Sequence, residues 1–216
     1  MPAKPAYWDE ATTLLARRDR VLKKLIARYP DIHLRRRSDA FTTLARAIVG
    51  QQISVKAADT IWQRFVATVA PEHRTRAFPR LAPAAVASAP ADALRGCGLS
   101  QRKTEYLSDL AGHFVSGRLD PRRWRKTDDE ALIAALVDVK GIGRWTAEMF
   151  LIFHELRPDV LPVDDIGLQR AIALHYYGGE RVDTAAIREL AVRWQPWRSV
   201  ATWYLWRSLD PLPVEY

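Results

Sequence analysis

The sequence predicts an all-α protein, and three observations carry that prediction. Apolar residues recur at helical spacing along most of the chain. No stretch alternates with the two-residue period of a strand. Capping residues, Ser54 and Thr127 among them, stand just before apolar runs.

In chain order, the first amphipathic run places Leu14, Leu15, Val21, Leu22, Leu25 and Ile26 on one face, with Arg17, Arg18, Lys23 and Lys24 opposite. Those charges suit a solvated face, with contact to nucleic acid as the alternative. "DAFTTLARAIVG" repeats the pattern with Phe41, Leu44, Ile48 and Val49 and ends at Gly50. Ser54 caps the next helix, whose inner residues include Ile61, Trp62, Phe65 and Val69. Between Ala70 and Pro90, prolines 71, 79, 83 and 90 punctuate short helical turns. "GCGLSQRKTEYLSDLAGHF" is a turn feeding a helix with Tyr106, Leu107, Leu110 and Phe114 inward. "TDDE", Thr127 to Glu130, fits a capping box before Leu132, Ile133, Leu136 and Val137. Further helices begin near Asp165, Thr184 and Pro196.

The chain has 216 residues, enough for one large domain or two closely packed subdomains with a real core. Its 33 Lys+Arg against 25 Asp+Glu leave a net charge of +8. Such a balance favours an anionic partner, nucleic acid being the commonest. Cys97 is the sole cysteine, which excludes an intramolecular disulfide, a four-cysteine zinc site and a cysteine-held iron–sulfur cluster within the chain. "MPAKPAYWDEATT" lacks the apolar core of a secretion signal, and no apolar run approaches membrane-spanning length. A cytoplasmic, nucleoid-associated protein with no membrane contact is expected.

Chemistry concentrates in two stretches. In "VKGIGRWTAEMF", Gly141 and Gly143 suit a tight turn between helices, can take positive φ and let a phosphate approach the backbone. The first-turn amides of the following helix point the same way, and Arg144 and Thr146 add a charge and a hydroxyl. An ordinary αα-hairpin turn uses the same glycines; the +8 chain around this one favours DNA. In "LPVDDIGLQRAI", Asp164 and Asp165 precede a helix marked by Ile166, Leu168, Ile172 and Ala173. Aspartate is a preferred N-cap. A carboxylate near a DNA-gripping hairpin can also stabilise positive charge on a deoxyribose as its base departs, or orient attacking water. His113, His154 and His175 stand alone on helical faces and read as structural.

With these residues in view, the chain resembles the helix-hairpin-helix DNA glycosylase superfamily. Within it the nearest branch is the alkylation-repair one, 3-methyladenine DNA glycosylase II. The matching pieces are "YWDEATTLLARRDRVLKKLIARYP", "LARAIVGQQIS", "GLSQRKTEYLSDLA", "GIGRWTAEMF", "LPVDDIGLQRA" and "WQPWRSVATWYLW", in the expected order over nearly the whole chain. The resemblance implies one compact all-helical unit over 1–216, built as two helical subdomains flanking a cleft, with the helix-hairpin-helix at 128–150. Because the first helix begins almost at once, the resemblance is to the compact, all-helical version, expected without the N-terminal β-rich domain of the best-known bacterial form.

The resemblance also implies the roles. The catalytic aspartate falls on Asp165, followed by Leu168 and Arg170 at the family's spacing, leaving Asp164 for capping or local electrostatics. Trp145 occupies the position of the Schiff-base lysine of bifunctional relatives, so base removal is expected without strand cleavage; Lys140 precedes the glycines and is not that lysine. Alkylated purines are cationic and attracted to aromatic faces. Trp145 and Trp206 therefore become pocket walls, with Met149 beside them, while Trp62, Trp194 and Trp203 go to the core. The wedge that fills the gap left by a flipped base falls on Gln52, with Gln51 bonding backbone; two glutamines closing a helix is the alternative. Catalysis needs no cofactor, although family hairpins often hold a monovalent cation through backbone carbonyls. The expected partner is double-stranded DNA with damaged bases, acted on by a monomer without an obligate protein partner. Two other readings stay open: a glycosylase for oxidised, deaminated or mismatched bases, and a non-catalytic hairpin module. The preferred base, among 3-methyladenine, 7-methylguanine, hypoxanthine and 1-methyladenine, is left open.

Overall fold

The computed structural model describes residues 4–36, 38–73, 76 and 79–210. These form thirteen α-helices and no strand among the described residues. The chain divides into two compact units, Met1–Arg36 with Leu151–Tyr216, and Arg37–Phe150.

The first unit opens with α1 (Trp8–Arg18) and α2 (Arg20–Arg28). The single amphipathic run expected here is broken at Asp19, which adopts extended backbone geometry and accepts the amides of Val21 and Leu22. Its other oxygen accepts from Tyr176 Oη at 2.9 Å and Trp194 Nε1 at 3.0 Å. A carboxylate that is only 4% exposed needs such donors, and they make Asp19 a buried knot rather than a surface charge. Leu15, Leu22 and Leu25 face the core, whereas Arg17, Arg18, Lys23 and Lys24 are exposed.

The second unit holds α3 (Ala40–Gly50), α4 (Val55–Val69), α5 (Pro83–Ser88), α6 (Ala91–Gly96), α7 (Gln101–Val115), α8 (Pro121–Trp124), α9 (Asp129–Val137) and the greater part of α10 (Arg144–Phe153). Ser54 Oγ accepts the Ala57 amide and begins α4 as expected. Helix α7 packs against α3 and α5, burying Leu107 and Leu110 with Phe41, Leu44 and Ile48. The capping box before α9 is corrected: Asp128, not Thr127, accepts the Ala131 amide at 2.9 Å. Thr127 Oγ1 instead donates to the Arg123 carbonyl, and Glu130 pairs with Arg144. The carboxylate stands immediately before the first helical residue, where it reaches the third amide; Thr127 stands one place too early.

Returning to the first unit, α11 (Ile166–Tyr176), α12 (Thr184–Ala191) and α13 (Arg198–Leu209) complete the chain's helices. Helix α13 packs on α11, α1 and α2 and is buried over most of its length. Trp194 and Trp203 lie in this core and Trp62 in that of the second unit, as expected. No helix among the described residues is long and apolar enough to cross a membrane.

Candidate functional site

Asp165 stands at the N-terminus of α11. Its backbone is extended, and its Oδ1 accepts the Leu168 amide at 2.6 Å. The same oxygen accepts Trp206 Nε1 from α13 at 2.7 Å. Two N–H donors from different helices thus hold the carboxylate in one orientation. The Trp206 ring stacks on Phe153, with centroids 5.6 Å apart and planes 11° from parallel. Gly167 makes this approach possible: a Cβ there would lie 3.1 Å from Asp165 Oδ1 and 3.2 Å from Trp206 Cδ1. The capping role expected of Asp164 belongs to Asp165. Asp164 is exposed, one residue too early to reach the third amide of α11.

In the second unit, α9 and α10 are joined by a turn anchored by Val139 and Ile142, which are 1% and 3% exposed. Gly141 takes φ +81°, the left-handed region open to glycine. A Cβ there would also overlap the Tyr106 ring of α7. Gly143 differs from expectation: its φ lies outside that region, and no heavy atom would meet an added Cβ within 4 Å. Its carbonyl accepts the Ala147 amide at 3.0 Å, so it serves as the N-cap of α10. Glycine at this place supplies no unusual backbone angle, and an added Cβ would face open space.

Arg144 is engaged within the protein. Its terminal nitrogens donate to Glu130 at 2.9 and 2.6 Å, and Nε donates to Glu148 at 3.0 Å. The hydrogen bonds to Glu130 push the guanidinium pKa up, and the charge is balanced by carboxylates. Trp145 is 41% exposed at the start of α10, Thr146 is half-buried, and Met149, one turn on, is 7% exposed.

The turn after α3 is tied to the hairpin. Gln51 Nε2 donates to the Gly141 carbonyl at 2.9 Å. Gln52 follows at φ +59°, unusual for a side-chain-bearing residue, and is exposed. Lys103 Nζ donates to the carbonyls of Val49 at 2.8 Å and Gln51 at 2.7 Å.

The structure therefore brings Asp165 and Trp206 into direct contact in one unit. In the other it groups Gly141, Gly143, Arg144, Trp145 and Thr146 at the hairpin, with Gln52 linked to them through Gln51. Sequence reasoning missed Gly167, Phe153, Lys103 and the two glutamates that hold Arg144, and it read Tyr106 as inward without its place against Gly141. Gly167 did carry a signal, because a glycine inside a helix costs about 1 kcal/mol and so usually answers to packing or function. The histidines are not solitary: His113 bonds Asp138 at 3.0 Å and His175 bonds Ser208 at 2.8 Å. Among the described residues no three His, Cys, Asp or Glu side chains assemble as a metal site.

Against this geometry stand the comparisons with known proteins. The family described as HhH-GPD superfamily base excision DNA repair protein matches residues 45–196. DNA-3-methyladenine glycosylase 1 of Schizosaccharomyces pombe is 31% identical over 189 residues, covering 87% of this chain and 80% of that protein. The crystal structure of a DNA-3-methyladenine glycosidase from Bacillus halodurans superposes with a TM-score of 0.83 at 34% identity, over 93% of this chain and 89% of that one. The Schizosaccharomyces pombe 3-methyladenine DNA glycosylase Mag1, solved with abasic DNA, matches with a TM-score of 0.77 at 28% identity, over 95% and 100% of the two chains.

Proposed function

The chain belongs to the HhH-GPD superfamily of base excision DNA repair proteins, and from that premise we propose that it is a monofunctional DNA glycosylase. It hydrolyses the N-glycosidic bond of alkylated purines of the 3-methyladenine and 7-methylguanine type in duplex DNA. The names of its relatives support that substrate class, and the net charge of +8 suits a polyanionic partner.

The residues divide the work by chemistry. The first-turn amides of α10, reached past Gly143, grip a backbone phosphate without reading sequence. Extruding the damaged base costs a few kcal/mol, which Gln52 offsets by filling the vacated place in the stack. The indoles of Trp145 and Trp206 attract a cationic purine, at about 0.5–2 kcal/mol for each face, and Met149 adds apolar contact. As the C1′–N bond breaks, the electron pair leaves with the base, which departs neutral, and the sugar becomes oxocarbenium-like. Asp165 stabilises that positive charge and receives the proton of the water that adds at C1′. The products are a free base and an abasic site. Tryptophan at 145 offers no amine to attack the sugar, so water completes the reaction and the strand stays intact. A monovalent cation would be held by backbone carbonyls of the turn, Val139 among them, each oxygen keeping a second lone pair after its internal bond; it would add positive charge beside the phosphate.

One observation carries the reading: Asp165 is held by the Leu168 amide and the Trp206 indole at a helix N-terminus, where the dipole favours negative charge. Asp165→Asn tests it, because asparagine caps a helix as well as aspartate does. Release of methylated bases from alkylated DNA, identified by chromatography, should fall roughly 10²–10³-fold. Thermal unfolding and affinity for abasic DNA should stay near wild type. Wild-type release by that variant refutes the assignment.

A further inference from the structure

The turn that bears Gln52 is held from beneath by a residue to which the reaction above assigns no part. Helix α3 ends with carbonyls that lack intrahelical partners, and a cation is the favoured group there. Lys103 supplies it, reaching from the first turn of α7 to the carbonyls of both Val49 and Gln51. Its own backbone is fixed as well, the amide donating to Ser100 Oγ at 3.3 Å. Gln51 is therefore held at two points: its carbonyl by Lys103, its side chain by the Gly141 carbonyl. Gln52 comes next, at φ +59°, a conformation that persists in a residue with a Cβ only when its surroundings impose it.

We propose that Lys103 is a positioning residue for base extrusion: its ammonium holds the carbonyls of Val49 and Gln51, so that the turn stays rigid while Gln52 takes the place of the extruded base. The inference rests on the glycosylase reading and on the wedge role of Gln52. A wedge does work on the duplex only if its mount does not yield, and an exposed glutamine on a loose turn would be pushed aside. Burial lowers the Lys103 pKa, in keeping with an ammonium drawn from water onto two carbonyls.

The test is a double-mutant cycle read by two independent measurements. In the free protein, Lys103→Met should speed amide hydrogen exchange at residues 51–54 and leave the first turn of α10 unchanged, and Lys103→Arg should restore protection. In single-turnover release from a duplex carrying one 7-methylguanine opposite cytosine, Lys103→Met and Gln52→Ala should each slow release about tenfold, and the double variant no further than Gln52→Ala alone. With the lesion opposite an abasic position, which leaves no partner base to be separated from it, the Lys103→Met loss should shrink to about twofold or less. Unchanged exchange at 51–54 overturns the proposal, as do losses that multiply in the double variant or are equal on both duplexes. A wild-type protein that releases no base from any methylated duplex refutes the glycosylase reading, and the wedge role with it. That failure is recognised by the wild type's own inactivity, whatever the exchange result.

Discussion

Oδ1 of Asp165 receives the Leu168 amide and the Trp206 indole, so one side chain both begins α11 and presents a carboxylate. Capping and chemistry compete as explanations in the sequence; the structure shows the cap, and the bonds that satisfy the helix end also fix the orientation that the proposed chemistry would require. Trp206 has a similar double character, its N–H committed to Asp165 and one of its two faces to Phe153. Trp145 is different, with 41% of its surface exposed. We expect Trp145→Ala to slow 3-methyladenine release about tenfold, within the range of one cation–π contact, while affinity for undamaged duplex changes less than about twofold. The reverse pattern, weak binding with normal release, assigns Trp145 to packing.

At the level of the element, the two hairpin glycines do different work. Gly141 combines φ +81° with the Tyr106 ring against its α-carbon, whereas Gly143 faces open space at an ordinary angle. Gly141→Ala should cost about 3 kcal/mol, from left-handed strain plus overpacking, and Gly143→Ala no more than about 1 kcal/mol. Urea unfolding followed by tryptophan fluorescence measures both, and equal losses would show that the turn is not built on Gly141. The mount beneath the turn is helix α7, which supplies Tyr106 under Gly141, Asp109 to the Lys140 amide at 2.9 Å and His113 to Asp138 at 3.0 Å. Burial lowers the pKa of His175, which bonds Ser208 across α11 and α13. Below pH about 6.5 the unfolded chain takes up that proton first. Stability should therefore fall as pH drops through this window, and His175→Asn should flatten the decline in the unfolding midpoint between pH 7 and 5.

For the whole molecule, the proposed monofunctional reaction, with tryptophan rather than lysine at 145, predicts that incubation with abasic DNA and borohydride traps no covalent adduct. A strong adduct would mean that a lysine attacks the sugar and that the monofunctional assignment is wrong. The net charge of +8 is not spread evenly into free cations: Arg144 is already balanced by Glu130 and Glu148, and Arg198 by Asp159. On the proposed reading, phosphate binding at the hairpin would rely on backbone amides more than on this guanidinium, as suits recognition without sequence preference.

Sequence alone determined the all-α class and the placing of most of the helices, because periodicity, caps and turn glycines are local properties written within a few residues of one another. The choice of Asp165 over Asp164 as the candidate acid came from the family resemblance. The capping errors at Thr127 and Asp164 were displacements of a single place, as local signals allow. Only the tertiary structure decided what surrounds the aspartate and the hairpin. Trp206 reaches Asp165 across 41 positions, and Gln51 reaches Gly141 across 90. Gly167 acquires its meaning only once α13 lies against α11, and Lys103 only once α7 lies against α3. Hydrogen bonds of that span depend on how helices pack, and packing is set by the sum of many buried contacts rather than by any motif.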